Sequence, residues 1–458
     1  MSDAATVSAG TPEPVRAALF GPGRRATTVG LVLLTLVTAF EAMGVGTAMP
    51  AVIADLGAVS AYGWPFSAFL AASVCGTVLG GRWCDGAGPR GALLVTPVVF
   101  AAGLVVAGTA ETLAQLLVGR VLQGASAGAQ FVAAYVAIAA VYPERARPAF
   151  FGLLSAAWVL PSLIGPPVAA LVTEEFSWHW VFLGLVPFVA VALALVVPGV
   201  RRLHRTGPPA GTGRGLIVAA VGAALGVTAV SWAGQHPDGV GAAVAAGALA
   251  VLVPALRRLL PAGVFRARRG IPTVVAARGL IAGVFFAGNS YLPLMLTATH
   301  GWSLTAAGAP LVAAALGWAG ASAWQGRHPD LPRTRLLRTG FLALAVGVTG
   351  LLAVAPAGGP AWLAFPAWAV AGVGMGVGYS AVSYLLLHHS ARTSDGVQEV
   401  GAHTAAAQVA DQLTTATLVG VGGALLAVLA TPAIALTVLL VPLVALAVLG
   451  ALLAPRAG

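Results

Sequence analysis

A few ionisable side chains interrupt the long apolar stretches of this 458-residue chain. Glu41 stands in GLVLLTLVTAFEAMGVGTAM, Arg120 in LLVGRVLQG and Asp411 in AAAQVADQLTT. A carboxyl group in apolar surroundings can load and release a proton, and a nearby guanidinium can tune that exchange. These residue types favour proton or ion chemistry, with a permanently protonated, hydrogen-bonded acid as the alternative for Glu41.

Asp411 belongs to a polar stripe within its apolar run. On a helix, Gln408, Asp411, Gln412 and Thr415 share one face. Such a stripe can form part of a transport site, or it can hydrogen-bond a neighbouring helix for purely structural reasons. Both interpretations remain open from the sequence.

Three further polar residues lie within apolar runs. Asn289 and Tyr291 mark the middle of FFAGNSYLPL and could contact a ligand, although core packing is favoured. Arg278 lies roughly 10 Å inside the end of its run, so it can extend toward the membrane surface. We expect Arg278 to be structural unless an acid pairs with it.

The stretch GGRWCDGAGPRGALL contains G-x-G-x-x-G spacing in Gly86, Gly88 and Gly91, which is typical of dinucleotide-binding loops. That loop requires a preceding strand, a following helix and an acid some 20 residues later. Here apolar runs lie on both sides, and no acid follows until Glu111. A Walker A site needs a Lys, and the chain has none. We expect no nucleotide, no cofactor and no metal site.

The composition of the whole chain agrees with these apolar runs: 59% of residues are hydrophobic, 8% are charged and mean hydropathy is +0.92. These values indicate an all-α integral membrane protein. We predict fourteen spans: 29–53, 64–84, 92–110, 113–140, 148–172, 177–199, 215–234, 239–260, 271–296, 303–324, 335–355, 361–387, 401–428 and 431–453. Twelve spans would leave GLIVAAVGAALGVTAVSWAG and GVGAAVAAGALAVLVPAL in one loop.

The charges orient these spans in the membrane. All Arg residues except Arg120 and Arg278 fall on the side that holds both termini, whereas the other side carries acids. Arg-rich loops are typical of the cytoplasmic side, so both termini are expected to be cytoplasmic. The pI near 10.9 therefore reports orientation and requires no nucleic-acid partner.

An internal sequence repeat divides the chain into two halves. One short Arg-containing pattern recurs at a constant offset of 245 residues. Its matched pairs are Gly81 and Gly326, Arg82 and Arg327, Asp85 and Asp330, and Arg90 and Arg335. We predict a tail at 1–28 without packed structure, six-helix halves at 29–199 and 271–458, and a basic linker with two extra helices at 200–270.

Four motifs together carry a family resemblance. The loop order Gly81, Asp85, Gly88, Arg90 resembles the cytoplasmic loop signature of the major facilitator superfamily. The other three are FEAMGVGTAMPAVIADL with Glu41, LLVGRVLQG with Arg120, Gln123 and Gly124, and PSLIGPPVAA with Gly165 and Pro166. The chain resembles the superfamily's fourteen-helix drug:proton antiporters.

The resemblance implies a bacterial plasma-membrane exporter that moves small hydrophobic molecules in exchange for protons, and no enzyme. Glu41 would carry the proton or meet a cationic substrate, and Arg120 would tune it. Asp85 held by Arg90 would stabilise the conformation closed to the cytoplasm. Pro161 replaces a fifth-helix glycine, so the antiporter motif is partial. Alternatives are export of an endogenous metabolite or lipid, and a receptor or scaffold on the same fold.

Overall fold

The computed structural model describes residues 15–143, 146–201, 214–328, 330–390 and 397–458. Residues 1–14 of the predicted tail and 202–213 of the predicted linker lie outside them. Every regular element in the described part is helical. The α-helices are α1 Val15–Phe20, α2 Arg25–Asp55, α3 Trp64–Ala87, α4 Pro89–Gly108, α5 Leu113–Val141, α6 Arg147–Glu175, α7 His179–Leu183, α8 Val186–Val200, α9 Arg214–Ala233, α10 Gly239–Leu259, α11 Ile271–His300, α12 Leu304–Gly326, α13 Arg333–Val354, α14 Ala364–Ser390, α15 Val397–Val428 and α16 Pro432–Leu453.

Fourteen helical stretches of the described chain are long and apolar enough to cross a bilayer. Helices α7 and α8 together form the sixth of them. They are separated at Gly184 and Leu185 because Pro187, in the first turn of α8, has no N–H to extend a helix through this point. The predicted number of spans is confirmed, and the twelve-span alternative is wrong. The chain is a multi-pass membrane protein.

Local sequence signals mark the beginnings of helices at both faces of the bundle. We call the side where α2 begins the near face and the side where it ends the far face. Four helices that begin at the far face have a side-chain cap that accepts a bond from a backbone N–H: Thr112, Asp238, Ser303 and Thr431. Helices α4, α6 and α11 begin at the near face with Pro in the first turn. Both devices deal with N–H groups that lack helical partners.

Glycines allow neighbouring spans to approach until their backbones touch. A Cβ on Gly124 of α5 would overlap the carbonyl oxygen of Phe69 in α3, and one on Gly372 of α14 would overlap that of Ala314 in α12. Small residues at such crossings are the usual basis of helix association in lipid, where hydrophobic burial contributes little. Packing of this kind fixes the rotation of each helix and therefore the direction of its polar residues.

Helices α2 to α8 pack mainly among themselves, as do α11 to α16. The two groups meet where α6 contacts α12, where α3 contacts α15 and where α2 contacts α11. Helix α9 packs against both α3 and α15, and α10 packs on α9. The two additional helices therefore cover one of the seams between the groups.

The segment before the first span is packed. Ala18 and Leu19 of α1 are buried, and the Thr28 hydroxyl lies 2.6 Å from the Leu19 carbonyl oxygen and 2.7 Å from the Tyr142 hydroxyl. The expectation of an unpacked tail is therefore wrong for residues 15–28. Apolar residues of α1 are buried against the near-face ends of the first spans, which is favourable. The order of polar and apolar residues along the sequence does not reveal this contact.

Candidate functional site

Glu41 and Arg120 form a buried ion pair between α2 and α5, which we call the Glu41 cluster together with Gln123. The Glu41 side chain is 0% exposed and that of Arg120 is 3% exposed. Arg120 Nη1 donates to Glu41 Oε1 and, at 2.7 Å, to Gln123 Oε1. Its Nε donates to the Pro65 carbonyl oxygen at 3.1 Å. The sequence predicted both residues as site candidates, and the structure brings them together.

The Glu41 cluster is incompletely hydrogen-bonded. Glu41 Oε2 and Gln123 Nε2 are buried and have no partner among the described residues. An ion pair removed from water is stable only while both charges are present, because either charge alone is poorly solvated there. Adding a proton to Glu41 would leave the Arg120 charge uncompensated. The arrangement can therefore convert protonation into a change of contacts.

A second buried ion pair lies between α11 and α15, which we call the Asp411 cluster together with Tyr379 of α14. Arg278 Nε donates to Asp411 Oδ2 at 3.0 Å, and Nη2 donates to the Tyr379 hydroxyl at 2.6 Å. The Tyr379 hydroxyl in turn donates to Asp411 Oδ2 at 2.9 Å. The expectation that Arg278 extends toward the membrane surface is wrong, because its acid partner lies within reach in the bundle.

The two clusters occupy different depths. Arg120 is the eighth residue of α5 from the far face, and Arg278 is the eighth residue of α11 from the near face. Each therefore lies roughly 10 Å inside its end of the helix. The Glu41 pair is sealed, whereas the side chains of Arg278 and Asp411 are 12% and 9% exposed. The Asp411 pair is therefore the more exposed of the two.

The predicted polar stripe on α15 divides between two neighbours. Gln412 Nε2 donates to Ser73 Oγ of α3 at 2.8 Å, so it joins the two groups of helices. The Thr415 hydroxyl donates to the Asp411 carbonyl oxygen within α15. Gln408 is half-buried one turn closer to the near face. The stripe thus serves an ion pair and an interhelical contact, as its structural interpretation predicts, while a role of the stripe in transport stays a prediction.

Asn289 and Tyr291 point away from both clusters. Asn289 Oδ1 accepts a hydrogen bond from Trp368 Nε1 at 3.1 Å, and the Tyr291 hydroxyl donates to the Val419 carbonyl oxygen. Both therefore have packing contacts, as favoured from the sequence. Tyr291 also contacts the ring of Tyr62, whose hydroxyl donates to the Ser290 carbonyl oxygen at 2.8 Å. Tyr62 and Tyr291 thereby help to join the two groups of helices toward the far face.

The motif of the fifth span, which is α6, forms another junction near the far face. Gly165 of α6 lies against Met43 and Gly44 of α2, and Pro166 lies close to Gly308 of α12. Helix α6 remains continuous through its internal prolines. The motif therefore sits where α2, α6 and α12 meet.

The loop motif has the predicted turn but not the predicted ion pair. Gly88 adopts φ 79°, a left-handed value that favours glycine, and it separates α3 from α4. Asp85 and Arg90 are both exposed, and no ion pair joins these two described residues. Exposed opposite charges gain little from pairing in water, so the sequence spacing alone does not hold them together.

Fourteen apolar spans, two packed groups and a buried ion pair in each define the class as a helical membrane transporter. The sequence profile of the Major Facilitator Superfamily matches residues 31–397. The chain belongs to that superfamily, and its class is that of a transporter and not of an enzyme.

Individual relatives are similar over parts of the chain. An MFS-type transporter of Mycobacterium tuberculosis is 31% identical over 313 residues, which are 65% of this chain and 45% of the relative. Multidrug resistance protein 3 of Bacillus subtilis is 32% identical over 169 residues, 37% of this chain and 33% of the relative. The chain thus spans less than half the length of these curated relatives.

A solved structure shares the fold. It is a bacterial homolog of the human lysosomal transporter Spinster, in an inward-facing and unoccupied conformation. The TM-score is 0.65 at 15% identity, covering 94% of this chain and 96% of that one. The predicted all-helical major facilitator fold is confirmed.

Proposed function

We propose that the chain is a proton-coupled exporter of hydrophobic or amphipathic small molecules, working by alternating access in the bacterial plasma membrane. The similarity to a protein named for multidrug resistance supports the export of such molecules. The single observation that carries the coupling is the Glu41 cluster. It places a carboxyl group with no exposed surface on a membrane-spanning helix, in contact with one guanidinium.

Charge supports an orientation with the near face in the cytoplasm. Apart from Arg120 and Arg278, the Arg residues of the described chain lie toward the near face. The far face carries the acids Asp55, Glu111, Glu174, Glu175 and Asp238, whereas the near-face acids Asp85 and Asp330 lie among Arg residues. Such an excess of Arg is typical of cytoplasmic loops. The near-face Arg residues are also compatible with the anionic surface of a bilayer. In this orientation both termini are cytoplasmic.

The coupling step follows from the electrostatics of the pair. Ionised Glu41 holds Arg120, and Glu41 Oε2, which has no partner among the described residues, is the atom that would take up a proton. Protonation removes the attraction that holds the guanidinium against α2. The two groups of helices, which meet near the far face through α6 and α12, could then change their contacts. A proton entering from outside would drive this change while substrate leaves.

Proteoliposomes with an imposed proton gradient test this proposal. A lumenal pH-sensitive dye would report proton movement as lipophilic cations, neutral antibiotics, aromatic acids and lipids are added one at a time. We expect at least one compound to release protons down their gradient through the wild type. The Glu41→Gln variant should not respond, because an amide cannot load a proton.

The matched control is Glu111→Gln, which removes an exposed far-face acid that makes no side-chain hydrogen bond in the described chain. It should behave as the wild type. Because Glu41→Gln leaves Arg120 buried without a counter-charge, the double variant Glu41→Gln/Arg120→Gln provides a second, neutral test. Substrate-dependent proton flux in either folded Glu41 variant would overturn the proposal.

A further inference from the structure

Arg278 has hydrogen-bond donors that bind no acceptor among the described residues. A guanidinium carries five N–H groups, and Arg278 uses Nε for Asp411 and Nη2 for Tyr379. No residue of the described chain accepts a bond from Nη1. The Arg278 side chain is also 12% exposed, so it is not fully enclosed by the bundle. The Glu41 cluster offers no such surface.

Aromatic side chains extend from Arg278 as a continuous shelf, which we define as Tyr379, Trp318 and Phe286. The guanidinium lies 4.7 Å from the centre of the Tyr379 ring. The Tyr379 and Trp318 ring centres are 6.1 Å apart and those of Trp318 and Phe286 are 6.2 Å apart, and each pair meets edge to face, so the shelf is stepped and not flat. All three rings are half-buried. A fixed positive charge thus stands at one end of a partly open aromatic surface.

The shelf and its cation lie beside the boundary between the two groups of helices. Arg278 belongs to α11, which contacts α2 of the first group, and it pairs with Asp411 of α15, which contacts α3 of the first group. Gln412, next to Asp411, bonds Ser73 of the first group. A molecule that passes between the groups would therefore meet Arg278.

We propose that Arg278 binds the acidic group of an aromatic amphiphile whose rings lie on the shelf of Tyr379, Trp318 and Phe286. A guanidinium recognises carboxylate, sulfonate and phosphate groups with paired, charge-assisted hydrogen bonds. Aromatic rings of a ligand pack favourably against other rings edge to face or offset, which is how the rings of the shelf already meet one another. This inference rests on the proposed function and specifies one class of its substrates, the acidic aromatic amphiphiles.

Asp411 competes with a ligand anion for Arg278. Its carboxylate occupies Arg278 when no ligand is present, and a ligand anion must share or replace that contact. Neutralising Asp411 should therefore strengthen the binding of an anion. A cation site at Asp411 would have the opposite signature, because Arg278 would then be the competitor and Asp411 the required partner.

Equilibrium dialysis of the full-length protein in detergent distinguishes these cases. The probes are 2-naphthoate, the neutral 2-naphthamide and the cation 2-naphthylmethylammonium, which share one ring system. We expect the wild type to prefer 2-naphthoate. Asp411→Asn should bind it several-fold more tightly, and Arg278→Gln at least about tenfold more weakly, as expected for loss of charge-assisted bonds. The exposed-residue control Arg338→Gln should match the wild type.

Arg278→Gln leaves Asp411 without its cation and could impair folding. The neutral pair Arg278→Gln/Asp411→Asn avoids that imbalance. When folded, it should bind 2-naphthoate and 2-naphthamide equally.

Three results would overturn the inference: a folded wild type that binds 2-naphthoate no more tightly than 2-naphthamide, weaker binding of 2-naphthoate by Asp411→Asn, or a preference of the neutral pair for 2-naphthoate. Dialysis measures neither transport nor proton movement. A failure of proton coupling in liposomes would therefore overturn the exporter proposal and leave a positive binding result intact.

Discussion

Glu174 of α6 accepts two hydrogen bonds from Thr305 of α12. The backbone nitrogen of Thr305 donates to Oε1 at 3.1 Å, and its hydroxyl donates to Oε2 at 2.6 Å. Both residues are exposed at the far face, where α6 and α12 join the two groups of helices. In the proposed orientation, with the near face in the cytoplasm, this contact helps to close the outer side of the boundary between the two groups of helices.

Glu174→Ala should loosen that closure. Exposed polar pairs contribute about 0.2–1 kcal/mol, so the open population should rise by up to about fivefold. The readout is the rate at which a water-soluble maleimide labels Cys introduced at Ser67, a buried residue of the α3 and α15 seam, with Cys75 and Cys84 replaced by Ala. Glu175→Ala is the matched control. Equal labelling rates in the two variants would show that the Thr305 contact does not hold the closure.

The stability of the bundle should depend on glycines at the points where helix backbones touch. Gly124→Ala would force a Cβ into the Phe69 carbonyl oxygen and should destabilise the protein by about 1–3 kcal/mol. Gly247→Ala, in α10, meets no atom within 4 Å and should be neutral or slightly stabilising. Thermal unfolding in detergent compares the two. A similar loss of Tm in both would contradict the packing argument.

The Glu41 cluster should respond unequally to loss of its two charges. Arg120→Gln leaves an acid that can become neutral by taking up a proton, whereas Glu41→Gln leaves a guanidinium that stays charged. Breaking a buried pair costs about 3–5 kcal/mol when the remaining charge persists. Thermal unfolding should therefore rank Glu41→Gln below Arg120→Gln, with the double variant more stable than Glu41→Gln. The reverse ranking would mean that Arg120 retains another counter-charge.

Much of the fold follows from the sequence, because crossing a bilayer imposes a minimum apolar length on every span. The predicted fourth span at 113–140 differs from the observed α5, Leu113–Val141, by a single residue. Thr112 and Asp238 mark helix starts through capping, a local effect that the sequence also carries. Such features depend on neighbours along the chain.

Side-chain partners are less predictable, because they depend on how each helix is rotated in the bundle. Arg278 and Asp411 are 133 residues apart, and no local pattern connects them. The available signal was electrostatic: an Arg and an acid inside spans each require a counter-charge. Asn289 and Tyr291, two residues apart, instead face different neighbours because helical residues at that spacing do not share a face.

Two transport assays on one set of proteoliposomes test most directly whether Glu41 carries the coupled proton. One assay measures accumulation of a transported compound driven by a proton gradient, and the other measures exchange of that compound without any gradient. Folded Glu41→Gln is predicted to retain exchange and lose gradient-driven accumulation. Accumulation equal to that of the wild type would contradict the claim.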